Sequence, residues 1–541
     1  MREKSVRPNK EFHYNGFFLD FLNKDSRIGH YFQNDDPAVV ARKLGTPRVD
    51  LQNMADILVR QNLSFGARPE TLKAIDKLRH ENCLVVFSGQ QAGLFGGPLL
   101  TLYKAIGIVK YARHLEETLK RPVVPIFWIA ADDHDFNEIN HFFWPGQQGE
   151  IERLSYDSPP ERRVSESEMF LDNEAAYSAL IETATKILGH TDFTDELYKR
   201  LFDAYAPDSS MVDAFGKYLL ELLPNYGLVL FSPADKEVKT LSKNFFKRLA
   251  EGYFRLKELL NEMEVALEKD GYHIQAEKKE TAIHLFYHEP ERTALHFQDD
   301  AFIVNEKRLG LNALLDLIDK YPEKFSPDVL TRPLWQSYLF PVVGQVGGPS
   351  EIAYFAQIGK LFEMMGLTQP CYFPRPALTL IEKRYGEMME KYDFAFLDLL
   401  GDPETLVKRA TAHSFPKETE TQIADFRGKF EQAYGTFLAA VRKFDDSLEP
   451  MGKQTYGKID FALNAFEKKI YDQHKKKMET TRAQIYRLCT AVHPNRNLQE
   501  RSFNINYYIS KYGFDIVDYI FKNLDILSTD HQLLYLSEIG E

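Results

Sequence analysis

The sequence is short of the features that mark secreted, membrane-spanning or nucleic-acid-coating proteins. Only three cysteines occur in 541 residues, Cys83, Cys371 and Cys489, and none lie in a CxxC spacing. That excludes a disulfide framework or a cysteine-built zinc site and fits a reducing compartment. No uncharged run reaches the ~18–20 residues that a bilayer span needs. The opening stretch, "MREKSVRPNKEFHYNGFF", has no apolar core of a secretory signal. A cytoplasmic protein with no membrane partner is expected. Positive charge is scarce as well: 67 Lys and Arg face 79 Asp and Glu, a net charge of −12. Binding a phosphate backbone requires a basic surface, so no nucleic-acid partner is expected. The lysine-rich "KKIYDQHKKKMETTR" is the main basic exception.

What is present is a folded chain, 44% hydrophobic and 27% charged, too long for one ordinary core. "CLVVFSG" reads as a buried parallel strand that stops at glycine, and "GGPLLTLYKAIGIVKYARHLEETLK" as the helix after it, with Pro98 in its first turn. "PVVPIFWIAA", "YGLVLFSPAD", "LFPVVGQVGGP" and "QPCYFPRP" are four further strand candidates. Strands alternating with helices predict an α/β fold with an open parallel sheet. The long segments between them, with hairpin-like stretches such as "TALHFQDDAFIVNEKR", read as insertions. From about residue 377 the texture becomes helical. Ile423, Phe426, Phe430, Tyr434, Phe437, Val441, Phe444 and Leu448 step by three or four, and Tyr456, Ile459, Leu463, Phe466 and Ile470 do the same. Two long helices joined near Pro450 predict an antiparallel hairpin. It is either an internal subdomain or an exposed coiled coil that pairs two chains.

Two segments share one plan: "VVFSGQQAGLFGGPLLTLYKAIG" and "FPVVGQVGGPSEIAYFAQIG". Each runs from an apolar strand through Gly-Gln and Gly-Gly-Pro into a helix that carries a tyrosine, Tyr103 or Tyr354. Neither a dinucleotide fingerprint nor a P-loop is spelled by the first loop. Glycines admit a ligand close to the backbone, and helix starts offer unpaired N–H groups, so two anion-friendly ends at one sheet edge are expected. Ser88, Gly89, Gln90, Gln91, Gln345, Gly347, Gly348, Glu351 and Tyr354 are the substrate-binding candidates; the alternative is that the glycines serve only the turns. "AADDHDFNEINH" places Asp132, Asp133 and His134 at another strand end as catalytic candidates, facing an amine or hydroxyls, with His134 placed to move a proton. Asp135 and Glu138 have the spacing of a helix start. No HExxH is present, and no tightly bound metal is expected; Mg2+ carried in with a nucleotide is the metal reading that fits. Arg375, between two prolines in "FPRP", is placed to bind a carboxylate, and Arg332 has a weaker case of the same kind.

Together "FSGQQAGLFGGPLLTLYKA", "PIFWIAADDHDFNEINH", "FPVVGQVGGPSEIAYF", "FPRP" and "HPNRNLQERSFN" resemble the BshC family, the cysteine-adding enzymes of bacillithiol synthesis. The pieces run from about residue 83 to 506. The resemblance implies a Rossmann-like core with connecting insertions, similar in plan to class I aminoacyl-tRNA synthetases, and a coiled-coil arm that makes a homodimer. It implies ligation of L-cysteine to the amine of glucosaminyl-malate, with ATP (giving ADP or AMP) activating the carboxylate. Neither HIGH nor KMSKS, the pair those synthetases use on ATP, is found. His493, Asn495, Arg496 and Arg501 of "HPNRNLQER" are the nucleotide-binding candidates. The expected layout is core over 1–144, insertion over 145–225, core strand and helix start over 226–245, insertion over 246–330, core over 331–385, coiled coil over 386–490, and a helical return to the core over 491–541. The alternatives are a metal-dependent hydrolase using the Asp/His loop and a non-catalytic dimeric metabolite-binding protein.

Overall fold

In a computed structural model, residues 3–146, 149–277, 280–411 and 417–539 are described. The five strand candidates form one parallel sheet. They are β1 (Leu84–Gln90), β2 (Val123–Ile129), β3 (Val229–Phe231), β4 (Val342–Gly347) and β5 (Cys371–Pro374), in the spatial order β5-β4-β1-β2-β3. The sequence of these strands explains their position. Leu84 and Val86 enter one hydrophobic core while Val85 and Phe87 enter another, and in β2 Phe127 and Trp128 divide the same way. A strand apolar on both faces is stable only with both faces covered, which is the condition of a doubly wound sheet.

Helix α1 (Leu99–Leu119) follows β1 and packs into the first core; α2 (Pro349–Gln357) follows β4 and packs into the second. Chain order runs outward from β1 through β2 to β3, and outward on the other side through β4 to β5. The reversal lies between β1 and β4, where Val342 pairs with Val85 and Gln345 with Phe87. Open sheets of this kind take their ligands in the crevice at that reversal, outside the carboxyl ends of the strands.

The first insertion holds the hairpin His141–Pro145/Ile151–Ser155 and the helices Glu174–Leu188, Thr194–Ala204 and Met211–Leu222. The second builds an antiparallel sheet from Ala282–His288, Arg292–Gln298, Ala301–Val304, Lys307–Leu309 and Phe325–Pro327. The tail, expected to be helical, does form helices, but "HQLLY" is a strand, His531–Tyr535, that pairs in parallel with Leu378–Ile381. Five residues are too few for periodicity to separate strand from helix.

The chain folds into two units. The first comprises residues 1–146, 151–381 and 497–541, and the second 147–150 and 382–496. In the second, α3 (Lys417–Phe444) and α4 (Glu449–Val492) run as a helical pair. Half-buried positions of α3 fall at Ile423, Arg427, Phe430, Tyr434, Leu438 and Val441, steps of four and three that make a heptad seam. Arg427 crosses to Asp460 and Glu467 on α4 at 2.6 and 2.5 Å. Tyr434 packs on Tyr456, with ring centroids 5.1 Å apart. Phe426, Phe437 and Phe444, expected on the same stripe, lie outside the seam, and Phe444 is 88% exposed. No helix among the described residues is long and apolar enough to cross a membrane.

Candidate active site

The crevice between β1 and β4 contains a cavity of about 350 Å³. Ser88, Gly89, Gln90 and Gln91 line it from the first loop; Gln345, Gly348, Glu351 and Tyr354 line it from the second. Asp133, Arg375 and Arg501 also reach it. Gly347 ends β4 but is not on its wall. Gly89 is required by the close approach of two strands: a Cβ there would lie 2.5 Å from the carbonyl oxygen of Trp128. Tyr354 accepts a hydrogen bond from Arg332 at 3.1 Å.

A buried lysine that sequence reasoning missed ties the two loops together. Lys104, on α1 and 5% exposed, donates to the Gly89 carbonyl at 2.8 Å and to Gln90 Oε1 at 3.0 Å. It also pairs with Glu351 of α2 at 2.7 Å. Helices on opposite faces of the sheet are thus locked across its carboxyl edge. The available signal was a lone lysine inside the apolar run "LLTLYKAIGIV".

Several of the backbone donors at the two loops are taken by the chain itself. The Gly348 N–H donates to the Glu351 carboxylate at 2.8 Å, and the Leu99 N–H that begins α1 donates to the Phe503 carbonyl at 2.8 Å. The Ala92 N–H is taken by Glu166 at 2.8 Å. Burial holds the Glu166 carboxyl well above the usual range. The chain's own oxygens satisfy these donors, which the spelling of the loops alone does not reveal.

Arg375 also differs from expectation. Its guanidinium pairs with Glu500 at 2.5 Å, and the Glu500 side chain is fully buried. It donates as well to the Pro376 carbonyl. The carboxylate it was expected to meet is thus supplied by the protein, 125 residues further along. Asp132 is corrected in the same way. Lys239, on the helix Lys236–Leu241, donates to both Asp132 oxygens at 2.8 Å and to the Phe325 carbonyl at 2.9 Å. Burial pushes the Lys239 ammonium down, and the adjoining Asp132 charge opposes that.

Asp133 remains turned to the cavity, where Gln91 donates to it at 3.1 Å. Burial alone would raise its carboxyl. The hydrogen bond from His134 and the charges of Arg292 and Arg332 outweigh burial and hold it at about 2. Asp135 takes the cap position of the short helix Phe136–Ile139, but its side chain makes no cap hydrogen bond. Glu138 lines the cavity, and burial raises its carboxyl.

Asp132, Asp133 and His134 all line a second cavity, of about 610 Å³, walled by both insertions. Asp133 and Arg332 border both cavities. Of the nucleotide candidates, Arg501 lies on the first cavity, while His493, Asn495 and Arg496 belong to the helical unit. There the His493 N–H ends α4 on the Cys489 carbonyl at 2.7 Å, and Asn495 and Arg496 take left-handed backbone. Among the described residues, no three His, Cys, Asp or Glu side chains gather as a metal site.

Comparison with known proteins agrees with this architecture. Residues 1–376 match the family model "Bacillithiol biosynthesis BshC, N-terminal Rossmann-like domain", and residues 378–536 match "Bacillithiol biosynthesis BshC, C-terminal coiled-coil domain". The curated relatives include proteins named "Putative cysteine ligase BshC". That of Koribacter versatilis is 30% identical over 512 residues, covering 94% of each chain. That of Geobacillus thermodenitrificans is 31% identical over 518 residues, again 94% of each. With both domain models matched in order along nearly its whole length, the chain belongs to the BshC family of bacillithiol biosynthesis.

Proposed function

We propose that this protein is a cysteine ligase that completes bacillithiol, joining the carboxyl group of L-cysteine to the amine of glucosaminyl-malate. The observation that carries this reading is the crevice at the sheet reversal, in a chain related to cysteine ligases over 94% of its length. Amide formation from a carboxylate must remove one carboxylate oxygen, and ATP is the proposed acceptor of that oxygen on phosphorus. The activated acyl carbon is then attacked by the neutral amine, which loses a proton as the activating group leaves.

The side chains divide this work. Gln90 and Gln91 offer amide groups to hydroxyls or to the activated carboxyl. Asp133, held ionised, positions the ammonium of a substrate beside the acyl carbon, and His134 is the proposed proton carrier. Arg501 is the proposed phosphate contact, with His493, Asn495 and Arg496 kept as further nucleotide candidates. Asp132 and Asp133 are turned onto Lys239, Gln91 and His134 rather than toward one point, so no mechanistic step is assigned to Mg2+. The exposed phenylalanines of α3 and α4 support a homodimer formed through the coiled coil, in the reducing cytoplasm.

The test is direct. Purified protein, cysteine, glucosaminyl-malate and ATP are combined, and products are read by mass spectrometry and phosphorus NMR. Bacillithiol with AMP or ADP is expected. Bacillithiol without nucleotide consumption refutes the energy source; no bacillithiol with any nucleotide refutes the ligase.

A further inference from the structure

Two arginines on the second cavity meet a histidine rather than a carboxylate. Arg292 opens the strand Arg292–Gln298, and its guanidinium carbon lies over Phe286, 3.6 Å from the ring centroid. It is only 7% exposed, and its Nε has no hydrogen-bond partner. Arg163 comes from the other insertion, and the two are joined through the backbone, where the Arg292 N–H donates to the Arg163 carbonyl at 2.9 Å. Among the described residues, no carboxylate lies within ion-pair distance of Arg163, Arg292 or Arg332. The acids nearby are otherwise engaged. Asp132 holds Lys239, and Asp328 holds His284 at 2.7 Å and Thr331 at 3.0 Å. Asp133 accepts from Gln91 and from the His134 N–H, and Glu277 stands exposed on the rim.

His134 sharpens the point. Arg163 Nη2 sits against its Nε2, and Arg292 Nη1 is 2.8 Å from its Nδ1. A neutral imidazole accepts at one nitrogen and donates from the other. Whichever tautomer holds, one of the two guanidinium groups meets an N–H at His134 and gains no acceptor from it. Asp133 opposes the Arg292 charge from beyond ion-pair distance, but the buried Nε still has no acceptor, a cost that a ligand oxygen would remove.

We propose that this cavity is an oxyanion subsite, in which a carboxylate or phosphate is held by Arg292 and Arg163 beside His134. The subsite adjoins the crevice through Asp133 and Arg332, so one ligand can occupy both cavities. It rests on the ligase reading only for the parent molecule: the malyl carboxylates of the sugar substrate, or the phosphates of the nucleotide.

Titration calorimetry of the full chain with L-malate and, separately, with inorganic phosphate tests this without turnover. One or both anions bind, and Arg292→Gln and Arg163→Gln each weaken that binding at least tenfold, while Arg292→Lys retains most of it. Binding of malate alone assigns the subsite to the sugar substrate, and binding of phosphate alone to the nucleotide. If Arg292→Gln fails to fold, Arg163→Gln, at an exposed position, decides alone. Anion binding that is absent, or equal in wild type and both Gln variants, overturns the proposal. Absence of ligase activity in wild-type protein that binds the anion counts against the ligase reading only.

Discussion

The pairing of Asp132 with Lys239 makes the three neighbours in the acidic loop experimentally separable. Lys239 is 2% exposed and both of its short side-chain contacts with charge are to Asp132. Asp132→Asn leaves a buried ammonium facing a neutral amide. Breaking such a pair costs ~3–5 kcal/mol. For the first unit, about 420 residues, an unfolding entropy of ~2.1 cal/mol/K per residue converts that loss to a fall of ~3–6 °C in melting temperature. Differential scanning calorimetry measures it. Asp133→Asn and His134→Ala, at more accessible side chains with replaceable partners, are expected to melt within ~2 °C of wild type while turnover falls. The Asp132→Asn deficit also depends on pH. Without its counter-ion, Lys239 has a folded-state pKa further below its unfolded value, so the unfolded chain binds more protons and stability rises as pH rises from 7 to 9. Adding Lys239→Met removes the orphaned charge and recovers much of the loss. If Asp132→Asn melts with wild type, or Lys239→Met gives no recovery, the pair is not a structural lock.

Three other outcomes are expected. Gly89→Ala sets a Cβ against the Trp128 carbonyl, which cannot move without parting β1 from β2, and should lower stability by ~1–3 kcal/mol in urea unfolding; wild-type stability refutes the contact. Burial depresses His288 to about 3 and His531 to about 4, against ~6.5 unfolded. Stability is therefore complete above pH ~6.5 and falls on acidification toward those values by ~1.4 kcal/mol per histidine per pH unit; flat unfolding midpoints between pH 6.5 and 5 refute it. Replacing Phe437, Phe444 and Phe461 with serine should convert a dimer to a monomer in multi-angle light scattering with helicity retained, since none of the three is buried in the chain; an unchanged mass refutes dimerisation through that face.

The local features of the fold were legible because they are short-range. Strand "CLVVFSG", its loop and its helix occupy one stretch, and the second copy repeats the pattern, so sequence alone places the crevice. The partners of the site residues were not legible. Arg375 meets Glu500 across 125 positions and Asp132 meets Lys239 across 107. An ion pair over such spans leaves no periodicity, only a charged residue in an apolar setting. Arg292 and Arg163 were missed for the same reason: each lies in an insertion with no repeat and no motif, and the folded insertions bring them together. The coiled-coil seam has the expected spacing but a narrower stripe, because Phe426 and Phe437 fit steps of three and four as well as Arg427 and Leu438 do.

The order of strands also bears on how the protein is made. β1 pairs with β2 early in synthesis, but its other neighbour, β4, follows by more than 250 residues. At ~5–20 residues per second, the ribosome leaves that side of β1 unpaired for ~10–50 s. During this interval a strand apolar on both faces presents an open edge, the template on which chains associate wrongly. The two insertions lengthen the wait, and the first of them, whose helices join the core beside α1, is also complete before β4 emerges. Nascent chains of this protein are thus expected to depend on holding factors most strongly between the appearance of β2 and that of β4.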